Sequence, residues 1–154
     1  MQSLGAEHIN HFQAQMGCVF PRMRIELDAL WSVHSFQEDY NPLHDHIAKS
    51  LSGLSFAGWT MVPEQVTRQE PEVHTADALF DASGVTDGTI TFHYGNVTSL
   101  DLELLRPPQM TRIRPEPGLF CIFPSWLQHV VYPFKGAGAR RTIAGNMSAF
   151  KVDT

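Results

Sequence analysis

The sequence predicts a mainly β fold with one short N-terminal helix. From residue 20 onward, short stretches of alternating or continuous apolar residues recur and are separated by turn residues. The stretches do not alternate with helical segments, so β-α-β units with a parallel sheet are not indicated. About eight antiparallel strands with such short connections are most simply arranged as a double-stranded β-helix, the two-sheet jelly roll.

The helix is predicted at residues 4–16, where Ile9, Phe12 and Met16 recur at the three-to-four-residue spacing of an amphipathic helix. Strands are then predicted at Arg24–Leu30, Leu30–Phe36, Leu51–Val62, Thr89–Tyr94, Ser99–Leu105, Met110–Arg114, Leu119–Phe123, Val130–Tyr132 and Arg140–Phe150. The glycines within Leu51–Val62 suggest that another backbone or a ligand approaches this strand closely.

Residues 64–88 form the longest polar and irregular stretch of the chain, with many acidic residues and one arginine, Arg68. A loop of this length in a compact domain is either functional or disordered. A solvated acidic loop and a lid that faces a cationic substrate or peptide are both compatible with its composition.

Length and composition limit the possible classes of protein. The 154 residues are enough for a single domain spanning residues 1–154, and 43% are hydrophobic, as in ordinary globular proteins. A formal charge of −5 without any Lys/Arg-rich run argues against nucleic-acid binding. Two cysteines are too few for a disulfide framework, and Cys121 is expected to be an inert core thiol. Without a membrane span or a signal peptide, a cytoplasmic protein of undetermined oligomeric state is expected.

Three histidines are candidate metal ligands. His44 and His46 are two residues apart, so on an extended strand both rings would point to the same side and Asp45 would point away. His129 lies next to a predicted strand that a jelly roll can place opposite them, and imidazole is a common ligand of iron, zinc, nickel and copper. Incidental His-x-His pairs and a hydrogen-bonded histidine at a strand edge are the alternatives.

Arg140 and Thr142 are candidates for binding a carboxylate. On the last predicted strand they share a face with Ala144 and Asn146. A buried guanidinium with a hydroxyl two residues further along can hold a carboxylate through several hydrogen bonds. Alternation alone does not decide whether Arg140 or its neighbour Arg141 faces the interior.

Together these residues resemble the iron(II)- and 2-oxoglutarate-dependent oxygenases, in the prolyl-hydroxylase-like branch found in bacteria and phages. The resemblance covers residues 40–147. It is carried by Asn41-Pro-Leu-His-Asp-His with Leu51-Ser-Gly, and by the turn at Pro117, Phe123-Pro-Ser-Trp-Leu-Gln-His-Val and Arg140-x-Thr-Ile-x-x-Asn146. The second of these blocks is the more specific.

The resemblance implies that His44, His46 and His129 hold Fe(II), and that Arg140 with Thr142 binds the far carboxylate of 2-oxoglutarate. The sequence departs from the superfamily's His-x-Asp/Glu pattern, because His46 occupies the carboxylate position.

The implied activity is a dioxygenase that uses O2 to hydroxylate a small-molecule or peptide substrate while 2-oxoglutarate is decarboxylated to succinate. The substrate itself cannot be read from the chain. A cupin-like three-histidine dioxygenase or isomerase that does not use 2-oxoglutarate is one alternative. A non-catalytic metal-binding jelly roll is the other.

Overall fold

The computed structural model of the protein describes residues 2–17, 22–50, 52–68, 86–95 and 109–152. These residues form the helices α1 (Gln2–Met16) and α2 (Glu64–Thr67) and the strands β1 (Met23–Ser35), β2 (Asn41–His44), β3 (Ser52–Met61), β4 (Ile90–His93), β5 (Met110–Ile113), β6 (Phe120–Pro124), β7 (Gln128–Val131) and β8 (Arg140–Lys151). The predicted mainly β fold and the N-terminal helix are confirmed.

The strands form two packed four-stranded sheets. The major sheet has the order β1-β8-β3-β6, and the minor sheet has the order β2-β7-β4-β5. All pairs are antiparallel. The chain passes repeatedly from one sheet to the other, so each sheet combines early and late strands. This is the double-stranded β-helix that the sequence predicted.

Two apolar layers stabilise the major sheet, one on each face. The layer between the two sheets contains Ala57, Trp59, Ile90, Phe92 and Phe123. The layer on the other face contains Ile25, Leu54, Phe56, Met147 and Ala149, and Ala6 and Ile9 of α1 pack against it. Phe12 and Met16, predicted to share the packed side of the helix, are 46% and 59% exposed. The buried stripe of α1 is therefore confined to its first half.

The first strand differs from the prediction. The two strands expected at Arg24–Leu30 and Leu30–Phe36 are one strand, Met23–Ser35, which pairs with β8 from end to end. The apolar alternation changes phase within this strand, and that change is what made it resemble two strands.

A β-bulge at Asp28 causes the change of phase. The register against β8 shifts between the residues on either side of Asp28, and its carboxylate accepts a hydrogen bond from the Ser148 hydroxyl. One extra residue moves all the following side chains to the other face of the sheet. Ile25, before the bulge, therefore packs under α1, whereas the odd-numbered residues after the bulge face the minor sheet.

β2 was not predicted, because Asn41 and Pro42 are poor strand formers. It exists because it pairs with β7, with Asn41 opposite Val131 and His44 opposite His129. Long-range pairing has here overridden local propensity.

The glycines of β3 mark close approaches, but the closest approaching groups are side chains and not the backbone or ligand that the sequence suggested. A Cβ atom on Gly58 would lie 2.6 Å from the Phe120 ring, and one on Gly53 would overlap the Ala48 and Ser125 side chains. Neither position has room for a larger residue.

Other predictions fall partly or wholly outside the described residues. The polar stretch 64–88 begins with α2, and residues 69–85 lie outside the described part of the chain, as does the strand predicted at Ser99–Leu105. Neither α1 nor α2 has the length and apolar character that crossing a lipid bilayer requires.

The packing of β8 predicts that Gly145→Ala destabilises the protein. A Cβ atom there would lie 2.5 Å from the Ala29 carbonyl oxygen and 2.5 Å from the Phe56 ring, and the carbonyl is fixed in the sheet. We expect chemical denaturation to show a free energy of unfolding lower by about 1–3 kcal/mol. Arg141→Ala, at an exposed position of the same strand, should change it by no more than about 0.5 kcal/mol. Equal stability of the two variants would contradict the close packing of β1 and β8.

Candidate metal and cofactor site

The pairing of β2 with β7 brings two of the predicted histidines together. His44 lies opposite His129, and the centroids of their rings are 4.2 Å apart. The sequence placed His129 just before a strand, but β7 begins at Gln128 and contains it. His129 is 4% exposed, so its ring is held within the fold.

His46 joins these rings by a route that differs from the predicted one. β2 ends at His44, so His46 lies in the following connection and not on a shared strand. Its backbone N–H donates a hydrogen bond to the Ser125 carbonyl at 2.9 Å. Its ring centroid is 5.1 Å from those of both His44 and His129, and 5.9 Å from that of Trp31.

The three histidines form a cluster that could hold a metal ion. One ring nitrogen of each lies within 4.8 Å of those of the other two. Asp45, between two of them in sequence, is exposed and does not belong to the cluster. Three imidazole nitrogens suit a divalent transition metal.

Backbone carbonyls orient two of the rings. Nδ1 of His44 lies 2.6 Å from the Pro42 carbonyl oxygen, and Nδ1 of His129 lies 3.1 Å from the Leu127 carbonyl oxygen. A carbonyl only accepts, so each Nδ1 carries the proton and each Nε2 lone pair remains available. In each case the carbonyl belongs to the residue two positions earlier. This arrangement fits metal binding through Nε2.

Burial favours the neutral form of two members of the cluster, His129 and His46. It lowers the pKa of His129 to about 4, with a smaller lowering from the neighbouring histidines and an opposing effect of the Leu127 hydrogen bond. Burial, followed by the proximity of His44, also lowers the pKa of His46. Neutral imidazole is the form that binds metals, so at neutral pH these two residues need not lose a proton first.

Arg140 is the buried member of the arginine pair, with 2% of its surface exposed, whereas Arg141 is exposed. Its Nη1 donates to the Gly88 carbonyl at 2.7 Å, and its Nη2 donates to the Ser35 hydroxyl at 3.3 Å. Its Nε is buried and has no hydrogen-bond partner among the described residues. Hydrogen bonds thus fix the guanidinium through Nη1 and Nη2, while Nε can still donate to a further acceptor.

Within the described part of the chain, no acidic side chain contacts Arg140. The more distant carboxylate of Asp39 partly stabilises the positive charge of Arg140. Burial lowers the pKa of Arg140 to about 10, so it remains protonated at neutral pH. The guanidinium carbon lies 5.8 Å from the centre of the Phe134 ring. A buried cation in this state favours the binding of an anion.

One cavity of about 80 Å³ between the sheets is bordered by both groups. His44, His46 and His129 line it, as do Arg140 and Thr142, together with apolar side chains such as Val33 and Ile90. The donor set fits a divalent metal ion and a carboxylic acid: three nitrogen lone pairs, and a guanidinium with a nearby hydroxyl.

A second cavity is larger but chemically different. It has a volume of about 240 Å³ and lies beside α1, lined mostly by apolar residues such as Phe12, Leu54 and Trp126. His8 is its one histidine among the described lining residues. Choosing the site by cavity volume alone would therefore select the cavity that lacks the three-histidine cluster and Arg140.

The other histidines of the described residues do not belong to the cluster. His34 is exposed, His93 is half-buried at the end of β4, and His74 is outside the described residues. Tyr94 and Trp126 are 51% and 63% exposed. Cys121 is half-buried, and burial raises its pKa to about 11, as expected for an inert thiol.

Among the residues that line the cavity, sequence reasoning missed Trp31 and Ser35 of β1. Both follow the bulge at Asp28, which reverses the face that simple alternation assigns to them. It also missed the Gly88 carbonyl, whose contact with Arg140 spans 52 residues and leaves no local signal.

The lowered pKa of His129 predicts a specific pH dependence for the metal-free protein. Below pH 6.5 the unfolded chain binds a proton here that the folded protein does not bind until about pH 4. The free energy of unfolding should therefore fall as the pH falls through this window. Denaturation at several pH values should give a shallower pH dependence for His129→Gln, while His34→Gln, at an exposed position, keeps the wild-type dependence. Identical curves for all three proteins would rule out a buried neutral His129.

Comparison with known proteins agrees with this geometry. No curated protein matches the chain significantly. The family model described as "Putative 2OG-Fe(II) oxygenase" matches residues 29–146, which include β2 to β7, the three histidines and Arg140. The match spans more than half of the chain and both parts of the cavity. The chain therefore belongs to this 2-oxoglutarate- and iron(II)-dependent oxygenase family.

Proposed function

We propose that the protein is an Fe(II)- and 2-oxoglutarate-dependent dioxygenase that hydroxylates its substrate. The observation that carries this proposal is the shared cavity. A cluster of three histidines and a buried arginine without an ion-pair partner among the described residues border the same space. Family membership implies the same cofactor and co-substrate.

His44, His46 and His129 would hold the iron. With the Nδ1 protons of His44 and His129 held by carbonyls, Nε2 of each ring would be available to bind the ion. When bound, Fe(II) with 2-oxoglutarate and O2 supplies the oxidising chemistry, in which 2-oxoglutarate is decarboxylated to succinate and a substrate C–H bond is hydroxylated.

Arg140 and Thr142 would bind the far carboxylate of 2-oxoglutarate. Arg140 offers its unpartnered Nε and its unbalanced charge, and the Thr142 hydroxyl lies two residues further along the same strand face. The burial of Arg140, which is 2% exposed, would strengthen its hydrogen bonds to a bound carboxylate.

The third histidine favours one alternative function. All three members of the cluster are histidines, so these ligands would contribute no negative charge to a bound ion. A three-histidine dioxygenase or isomerase that does not use 2-oxoglutarate would have the same cluster. Such an enzyme gives no reason for a buried Arg140 at the other end of the cavity, and this supports the 2-oxoglutarate-dependent reading.

The substrate class proposed is a small molecule or a peptide. The formal charge of −5 is unfavourable for contact with nucleic-acid phosphates. The non-catalytic alternative, a metal-binding jelly roll, would bind an ion at the cluster and turn over no co-substrate.

The histidine cluster predicts that the protein binds one divalent transition-metal ion. Titration of the metal-free protein with Co(II), followed by visible absorption, should give one site per chain. His129→Ala should weaken binding at least about a hundredfold, because the loss of a ligand costs no less than the loss of its supporting groups. His34→Ala is the matched control and should bind as the wild type does. Equal binding by both variants would place the metal elsewhere.

The position of Arg140 predicts the behaviour of 2-oxoglutarate. Anaerobic addition of Fe(II) and then 2-oxoglutarate should produce the visible iron-to-keto-acid charge-transfer band. In Arg140→Ala the dissociation constant for 2-oxoglutarate should rise by roughly 30-fold or more, since a buried charge partner is lost. Arg140→Lys should be intermediate, because it keeps the charge without the planar fork.

Arg141→Ala, at the exposed neighbouring position, should retain wild-type affinity. If iron binds to the wild type but no band forms, the three-histidine enzyme without 2-oxoglutarate becomes the better explanation. If the band forms but no succinate appears with any substrate tested in air, the catalytic proposal loses its support.

A further inference from the structure

The arginine end of the cavity contains a third polar residue, Ser35. The antiparallel register places Ser35 directly opposite Arg140, just as Val33 lies opposite Thr142. Ser35 is 7% exposed and lines the same cavity as the two β8 residues. The last residue of β1 therefore meets the first residue of β8 at the closed end of the site.

The Ser35 hydroxyl accepts a hydrogen bond but donates none among the described residues. Its oxygen accepts a hydrogen bond from Nη2 of Arg140 at 3.3 Å. Its own proton finds no acceptor among the described residues. A hydroxyl that accepts from a cation is polarised and becomes a stronger donor.

A bound carboxylate could accept a hydrogen bond from the Ser35 hydroxyl. Nη1 of Arg140 donates to the Gly88 carbonyl and, at 3.5 Å, to the Tyr132 carbonyl, and one N–H of Nη2 donates to Ser35. Nε–H and the second N–H of Nη2 have no acceptor among the described residues. A carboxylate has about four lone-pair positions, more than these two N–H groups can fill. The hydroxyls of Thr142 and Ser35, on neighbouring strands beside the guanidinium, can supply the other donors.

We propose that Ser35 forms a three-donor site with Arg140 and Thr142, and that it determines the preference for 2-oxo dicarboxylic acids over 2-oxo monocarboxylic acids. The inference rests on the proposed function, because it concerns the far carboxylate of the co-substrate. It assigns to β1 a part in co-substrate selection.

The test compares two 2-oxo acids in two serine variants. 2-Oxoglutarate and 2-oxopentanoate share the keto-acid end and differ in that the second has a methyl group in place of the far carboxylate. Each is titrated anaerobically into the Fe(II)-loaded protein, and the charge-transfer band gives its dissociation constant. Ser35→Ala is compared with Ser32→Ala, an exposed serine of the same strand.

In Ser35→Ala the dissociation constant for 2-oxoglutarate should rise by about ten- to a hundredfold, the loss of one hydrogen bond to a charged group. That for 2-oxopentanoate should change by less than about threefold, because no donor at this end is used. Ser32→Ala should leave both unchanged. If Ser35→Ala does not fold, Ser35→Cys, with similar volume and a weak donor, replaces it and should show most of the same loss.

The possible failures are distinguishable. Unchanged 2-oxoglutarate binding in Ser35→Ala, or an equal loss for both acids, would overturn the role of Ser35 while leaving the oxygenase proposal intact. An absent band in the wild-type protein would instead overturn the proposed function, and this inference with it.

Discussion

The burial of the Arg140 guanidinium is the constraint around which the closed end of the site is built. A cation removed from water needs compensation by dipoles or by an opposite charge. The protein provides part of it through the Gly88 carbonyl and the Ser35 hydroxyl, with a longer contact to the Tyr132 carbonyl. These groups come from three separate parts of the chain and converge on one side chain. These groups leave Nε of Arg140 without an acceptor among the described residues, and an anion could bind there.

The opposite end of the cavity, where the three histidines lie, needs uncharged rings with available lone pairs. There, burial keeps His129 and His46 uncharged, and carbonyls hold the Nδ1 protons of His44 and His129. One end thus offers lone pairs to a metal ion and the other offers a positive charge. Both ends lack a carboxylate among the described lining residues, so a doubly charged acid bound between them would supply the missing negative charge. With the negative charge supplied by the bound acid, the site would not need a carboxylate ligand at the position of His46.

The sequence was sufficient for the fold class and for naming five polar residues that border the cavity, but it missed Trp31 and Ser35. The five are His44, His46, His129, Arg140 and Thr142. Local patterns carry that information: alternating strands, the His-x-His spacing, and the arginine followed by a threonine. It was insufficient wherever a distant partner decides the outcome. β2 exists through its pairing with β7, and Arg140 faces inward because Ser35 and Gly88 receive its hydrogen bonds. The position of His46 depends on the Ser125 carbonyl, which no spacing rule within the motif contains.

The bulge at Asp28 divides β1 into two parts with separate tasks. Before it, Ile25 belongs to the apolar layer beneath α1; after it, Trp31 and Ser35 border the cavity. The two parts are out of phase, so a deletion at the bulge would turn the cavity-lining side chains away from the site. Substitutions after the bulge, by contrast, leave the packing under the helix untouched. Within one strand, the shape and chemistry of the site can therefore diverge during evolution while the support of the fold stays the same.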